Sequence, residues 1–213
     1  MKERLIIISA GRLGREVYVW ARQAIEHGTP WEIKGFLDDR ADVLGGFCYD
    51  VGVLGSVDDY HIEQGDVFVG AIGDPADKMK YYAPVQERGG RFVNVIHPLA
   101  NIGQNVELGV GIVMAPFSSV TCDTRIGNFV SIGALTNVGH DVVVGDWCQI
   151  SSHCGVNGRA SLGDGVFLGS HACIAPEIKV GERAFVGAGS IVLRDVPPGV
   201  KVFGNPAIPV GRV

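Results

Sequence analysis

A strict six-residue period runs through the second half of the chain. Stepping by six from Ile102 gives Ile102, Leu108, Met114, Val120, Ile126, Ile132, Val138, Val144, Ile150, Val156, Leu162, Leu168, Ile174, Val180, Val186 and Val192. All sixteen anchors are aliphatic or Met, with no insertion, and ten of them are followed by Gly. Two positions before the anchor stands a small or β-branched residue, as in Ser118, Thr124, Thr136, Cys148, Ala160 and Ser190. Six residues make one short strand and a corner, so three such units close a triangular coil of about 18 residues. The anchor and the residue two before it are expected to point inward. The Gly after the anchor is expected to give the corner its backbone freedom. The reading from about Ala100 to Leu193 is an all-β parallel β-helix of a little over five coils.

The first part of the chain has a different rhythm. Leu5–Ser9 is a continuous apolar strand that turns at Gly11-Arg12-Leu13-Gly14 into a helix with Val17, Trp20, Ala21 and Ala24 on one face. Lys34–Leu37, Asp66–Ile72 and Arg91–Ile96 read as further strands, and Asp77–Arg88 as a second helix. Strands alternating with helices predict a small α/β, Rossmann-like domain over residues 1–97, with the β-helix and a C-terminal tail over 98–213. Ligands of such sheets bind at the carboxyl ends of the strands. The turn Ser9-Ala10-Gly11-Arg12-Leu13-Gly14 is a dinucleotide-binding pattern with Ser in place of the first Gly, and Asp38 stands where a ribose-binding acid would be. A nucleotide whose phosphates face the helix N-terminus and a plain tight strand–helix turn both fit this motif. The unit is too short for a full dinucleotide site.

Composition narrows the function. The net charge of -5 and the lack of any basic cluster argue against nucleic acid or an anionic membrane as partner. No apolar run is long enough to span a bilayer and no signal pattern is present, so a cytoplasmic protein is expected. The five cysteines have no C-x-x-C spacing and are expected to be reduced, with Cys148 and Cys154 packed inward.

Three histidines, His140, His153 and His171, fall on the repeat, and none occupies an inward slot. His140 is followed by Asp141, and a carboxylate beside an imidazole favours the imidazolium that forms when the ring takes a proton. That suits a general base acting on an amine or hydroxyl. His153 and His171 are 18 residues apart and should stack on one edge. They could line a groove or bind a metal; β-helix carbonic anhydrases take two zinc histidines from one chain a few residues apart, and no such pair exists here, so no metal is expected.

The segments SAGRLGREV, GFLDD, VLGSVDD and AIGD, then GHDVVVGD within the hexads and a final VPPGVKVFGNPA, resemble bacterial sugar acetyltransferases. These are the sialic acid O-acetyltransferases and the N-acetyltransferases of nucleotide-linked amino sugars, within the hexapeptide-repeat superfamily. The resemblance covers essentially the whole chain and implies a left-handed coil, a homotrimer, and acetyl-CoA as cosubstrate bound between neighbouring coils. It implies a nucleotide-sugar site at Gly11, Arg12, Leu13, Gly14, Asp38, Asp39, Gly73 and Asp74. It implies His140 as catalytic base with Asp141 as its supporting acid, and Gln149, Gly158, Ser170 and Ala188 along the CoA groove. Gln149 stands where relatives commonly place a histidine. The favoured reaction is N-acetylation of an amino sugar. Acetylation of a sugar hydroxyl, an NAD-binding protein and a non-catalytic trimeric scaffold are the competing readings. The outward Phe129, Trp147 and Phe167 are expected to serve self-association.

Overall fold

The computed structural model describes residues 2–213. Strands β1 (Glu3–Ile8), β2 (Trp31–Leu37), β3 (Val53–Gly55), β4 (Asp66–Gly70) and β5 (Arg91–Phe92) form a parallel sheet in the order β3-β2-β1-β4-β5. Helix α1 (Arg12–Glu26) follows β1 and buries Gly14, Val17, Tyr18, Ala21 and Ala24, the spacing of one helical face. Helix α2 (Pro75–Glu87) starts two residues earlier than its apolar pattern suggests. Asp74 caps it by accepting from the N–H groups of Ala76 and Asp77 at 2.8 and 3.1 Å, and Pro75 suits the first turn.

The expected strand Arg91–Ile96 is two strands. Arg91–Phe92 closes the first sheet, whereas β6 (Val95–Ile96) pairs with Val113–Met114 of the coil. Asn94 makes the crossing, since its side chain donates to the Gly109 carbonyl and accepts from the Ile112 N–H. The short β3, flanked by glycine, carries too little apolar pattern to be visible in the sequence.

From Asn101–Ile102 (β7) to Ile191–Val192 (β22), every strand is two residues long and ends on one of the sixteen anchors. Partners lie 18 residues apart, Ser119 beside Asn101 and Asn137, and all pair in parallel. The result is a parallel β-solenoid with three flat facets. The eight-stranded facet runs from β6 at one edge to the terminal hairpin of β23 (Val200–Gly204) and β24 (Ala207–Arg212) at the other. Inward anchors from Met114 onward and their small partners form one continuous buried core. Each fully buried aliphatic contributes about 1.5–3 kcal/mol.

The glycines act differently from expectation. The left-handed corner residue is the third after every anchor but Val192 and is seldom glycine: Asp123, Asp141, Trp147, His153 and His171 all have φ between 57° and 64°. The Gly directly after the anchor is needed for close approach. A Cβ on Gly133 would sit 2.5 Å from the Ser152 nitrogen and 2.6 Å from the Ser151 carbonyl carbon. Successive coils could not stack at that distance.

Phe129 and Trp147 also differ from expectation. They stack on each other at 4.2 Å, and Phe129 packs against Tyr82 of α2 and Phe92 of β5. The α/β unit buries Phe129, and Trp147 stays half-buried beside it. Beside them Lys78 of α2 is completely buried against the coil. Its ammonium donates to the carbonyls of Phe129 and Cys148 at 3.2 and 2.8 Å and to Ser131 Oγ at 3.0 Å. All three acceptors are neutral, and burial lowers the Lys78 pKa from 10.5 to about 7. The unfolded chain therefore binds more protons than the folded one between those values, so this group makes stability rise with pH across that window. The buried Cys148 and Cys154 thiols, pushed up to about 12 and about 11, act in the opposite sense at the alkaline end. The quantity to measure is thus the difference in Tm between wild type and Lys78→Met, followed against pH by circular dichroism. The upward slope is expected in the wild type and lost in the variant; equal slopes would remove Lys78 as its source.

Candidate active site

His140 and Asp141 occupy the corner that leads from the six-stranded facet to the five-stranded one. The left-handed backbone at Asp141 (φ 57°) turns its side chain back along the corner, and Oδ2 comes within 2.8 Å of His140 Nδ1. An ionised carboxylate only accepts, so Nδ1 carries the hydrogen, and in the neutral ring Nε2 is the nitrogen with the free lone pair. Both side chains are more than half exposed. One coil further along, Gly158 lies under the ring: a Cβ there would be 2.6 Å from Nε2. The Arg159 N–H donates to the His140 carbonyl, and Arg159 is ion-paired with Glu177 at 2.7 Å. The corner thus holds an exposed base, its orienting acid and a glycine, Gly158, whose missing Cβ makes room for the ring.

His153 and His171 stack as their spacing predicts, with ring centroids 4.5 Å apart and planes within 8°. They sit on a different corner, the one leaving the eight-stranded facet, together with Ser170 and Ala188. Their column continues below as Leu99, Phe117 and Leu135, which are 56%, 60% and 53% exposed. Gln149 lies elsewhere again. It is buried on the eight-stranded facet between Ser131 and Phe167, and its Oε1 has no hydrogen-bond partner. Gln149, Gly158, and the pair Ser170 and Ala188 thus occupy one facet and two different corners of the coil. Among the described residues no cluster of three His, Cys, Asp or Glu could hold a metal. Cys148 and Cys154 pack inward and donate to the carbonyls of Gly163 and Gly169.

A cavity of about 320 Å³ opens at the carboxyl ends of β1, β2 and β4. Ser9, Asp38, Asp39, Arg40, Asp77 and Tyr81 contribute its polar lining. Asp38 and Asp39 fall there as the sequence suggests, and Tyr81 donates to Asp39 at 3.4 Å. The turn itself is divided in its roles. Ser9 takes the left-handed conformation (φ 82°) for which Gly is the usual choice, and its Oγ accepts the Gly11 N–H. Gly14 allows the helix to approach the strand, because a Cβ there would strike the Ser9 carbonyl. Leu13 packs against the core and Arg12 is exposed; neither lines the cavity. The Asp74 carboxylate is engaged as the cap of α2 and lines a second cleft of about 410 Å³ with Met79, Phe167 and Arg183. Arg40, Asp77 and Tyr81 escaped the sequence reading, although Arg40 directly follows the GFLDD segment.

The solenoid, its hexads and the exposed His–Asp corner resemble those of hexapeptide-repeat transferases. The model of the family described as bacterial transferase hexapeptide (six repeats) matches residues 123–158, the span that holds His140, Asp141 and Gly158. No curated protein matches the sequence. Among solved structures, the acetyltransferase domain of PglB from Neisseria gonorrhoeae in complex with acetyl coenzyme A is 26% identical, with a TM-score of 0.88 over 99% of this chain and 100% of that one. PerB from Caulobacter crescentus, in complex with CoA and GDP-perosamine, is 29% identical, with a TM-score of 0.87 over 99% of each chain. WeeI from Acinetobacter baumannii is 26% identical, with a TM-score of 0.86 over 98% of this chain and 100% of that one. The resemblance to bacterial hexapeptide-repeat sugar acetyltransferases thus holds over the whole length of the protein, beyond the repeat alone.

Proposed function

We infer that this protein is an acetyl-CoA-dependent N-acetyltransferase acting on the amino group of a nucleotide-linked sugar. The observation that carries the reading is the exposed His140–Asp141 pair at the corner, in a chain matched end to end by acetyltransferases crystallised with acetyl-CoA or with CoA and a GDP-linked sugar. His140 Nε2 takes the amine proton as the nitrogen attacks the thioester carbonyl. A C–N bond forms, a backbone N–H steadies the oxyanion, the C–S bond breaks, and the imidazolium passes its proton to the sulfur so that CoA leaves as the thiol. Asp141 holds the ring in the required tautomer and stabilises the imidazolium. No covalent enzyme intermediate is needed.

In this reading residues 1–97 are a Rossmann-like nucleotide-sugar unit, and 98–213 a left-handed β-helix of a little over five coils carrying the acetyl-transfer site. The strand order β3-β2-β1-β4-β5, the cavity at its carboxyl edge and the eighteen-residue register support that division. The test is release of free thiol from acetyl-CoA, measured against a panel of UDP-, GDP- and dTDP-linked amino sugars and their hydroxyl counterparts. Turnover with a hydroxyl sugar and none with an amine would reassign the reaction to O-acetylation.

The assembly we infer is a homotrimer with acetyl-CoA between neighbouring coils. Two observations support it: the separation of the proposed CoA residues onto different corners, and the exposed apolar ridge of Leu99, Phe117 and Leu135. A ridge of that kind on a monomer marks an interaction surface. Phe117→Asp with Leu135→Asp is expected to give a folded monomer in light scattering that has lost transferase activity. A wild-type monomer at micromolar concentration would sink both the trimer and the interfacial CoA site.

A further inference from the structure

The cavity at the edge of the parallel sheet contains an arrangement that changes the role of its best-defined acid. Asp38 has a side chain only 6% exposed. Its Oδ1 accepts from the Arg40 N–H at 3.1 Å and from Arg40 Nε at 2.8 Å. Its Oδ2 accepts from the Ala10 N–H at 2.9 Å and from Arg40 Nη2 at 2.9 Å. A carboxylate offers about four lone-pair sites, and all four are filled by the protein. Asp38 has no acceptor left for a ribose hydroxyl.

The same contacts aim Arg40. Its fork is held bidentate by a buried acid, yet its own side chain is 62% exposed and lines the cavity. Two of its five N–H donors are used by Asp38, which leaves three without a partner among the described residues. Nη2 lies against the Ser9–Gly14 turn, 3.6 Å from where a Gly11 Cβ would be. The cavity is otherwise acidic. Among its described lining residues Arg40 is the one cation, set against Asp38, Asp39 and Asp77. A diphosphate entering there without Arg40 would face three carboxylates and no positive charge.

We propose that Arg40 is the residue of this cavity that binds the diphosphate of the nucleotide sugar, with Asp38 acting as a positioning residue that aims it. The proposal rests on the nucleotide-sugar reading. Planar bidentate anchoring on one side and free donors on the other is the arrangement by which arginine recognises phosphate. The hydrogen bonds of Asp38 to Arg40 and to the Ala10 N–H also hold its carboxyl below the usual range, against the effect of its burial, so it stays charged and the fork stays fixed.

The test is calorimetric titration of the full chain with uridine, guanosine and thymidine and with their mono- and diphosphates. Wild type, Arg40→Gln and Arg40→Lys are compared. In whichever series binds, wild type is expected to tighten from nucleoside to diphosphate. Arg40→Gln should lose roughly ten- to hundredfold for the diphosphate and leave the nucleoside unchanged. Arg40→Lys keeps the charge without the fork and should fall between. Equal losses for nucleoside and diphosphate would overturn the proposal and assign Arg40 to the base or to the fold. So would a wild type that gains nothing from the phosphates. If no series binds wild type while acetyl-CoA does, the nucleotide-sugar reading itself fails and takes this assignment with it.

Discussion

His140→Ala is expected to lower kcat by roughly 10²–10⁴ while the fold survives. The ring projects from an exposed corner and fills no part of the core, so its removal leaves no cavity. Asp141→Asn should cost less. The amide can still accept from Nδ1–H and hold the ring, but it no longer stabilises the imidazolium by charge. His153→Ala and His171→Ala should cost far less than His140→Ala, because their stacked rings lie on another corner. The measurement is steady-state kinetics with the sugar nucleotide identified by thiol release, with circular dichroism to confirm folding. Near-wild-type turnover of His140→Ala would end its assignment as base, and His153 would become the next candidate.

The repeat was legible because an inward-facing position in a narrow coil tolerates only a few side chains, and Met114 to Val192 obey that limit throughout. Periodicity says which residues face inward, but it carries no information on what covers the outside. Phe129 and Trp147 therefore looked like surface for another copy, whereas α2 and β5 bury Phe129 and Trp147 stacks on it within the same cluster. Lys78 was invisible for the related reason that a lysine on a helix is ordinarily solvated, and only docking of α2 onto the coil makes it a buried donor to three neutral acceptors. The glycine pattern is plain in the sequence, but its cause is not. The corner conformation falls two residues later, on Asp141 and its equivalents, and the glycines answer to the spacing between coils. At the sheet edge, Asp38 was found by its spacing from the glycine turn. Its partner Arg40 was missed, since only the fold shows that the acid is saturated and that the arginine faces the cavity.

Gly158→Ala should separate catalysis from stability more sharply than any change at the base itself. The Cβ it adds would lie 2.6 Å from His140 Nε2 and 2.7 Å from Cε1, inside van der Waals contact. The atoms it meets belong to a half-exposed side chain, which can swing outward at little cost to the fold. Backbone meets the added atom at Gly139, where a Cβ would be 2.9 Å from the Gly158 nitrogen, and there the coil spacing itself must give. Gly139→Ala is thus expected to lower Tm, while Gly158→Ala leaves Tm nearly unchanged. The ring displaced by Gly158→Ala loses its alignment with the attacking amine, and a misplacement of about 1 Å can cost about 10² in rate. The expected result is a kcat lower by roughly that factor, with the KM for the nucleotide sugar little altered, because the sheet-edge cavity is untouched. Unchanged kcat in a folded Gly158→Ala enzyme would show that the orientation of Nε2 over Gly158 is not the one used in acetyl transfer.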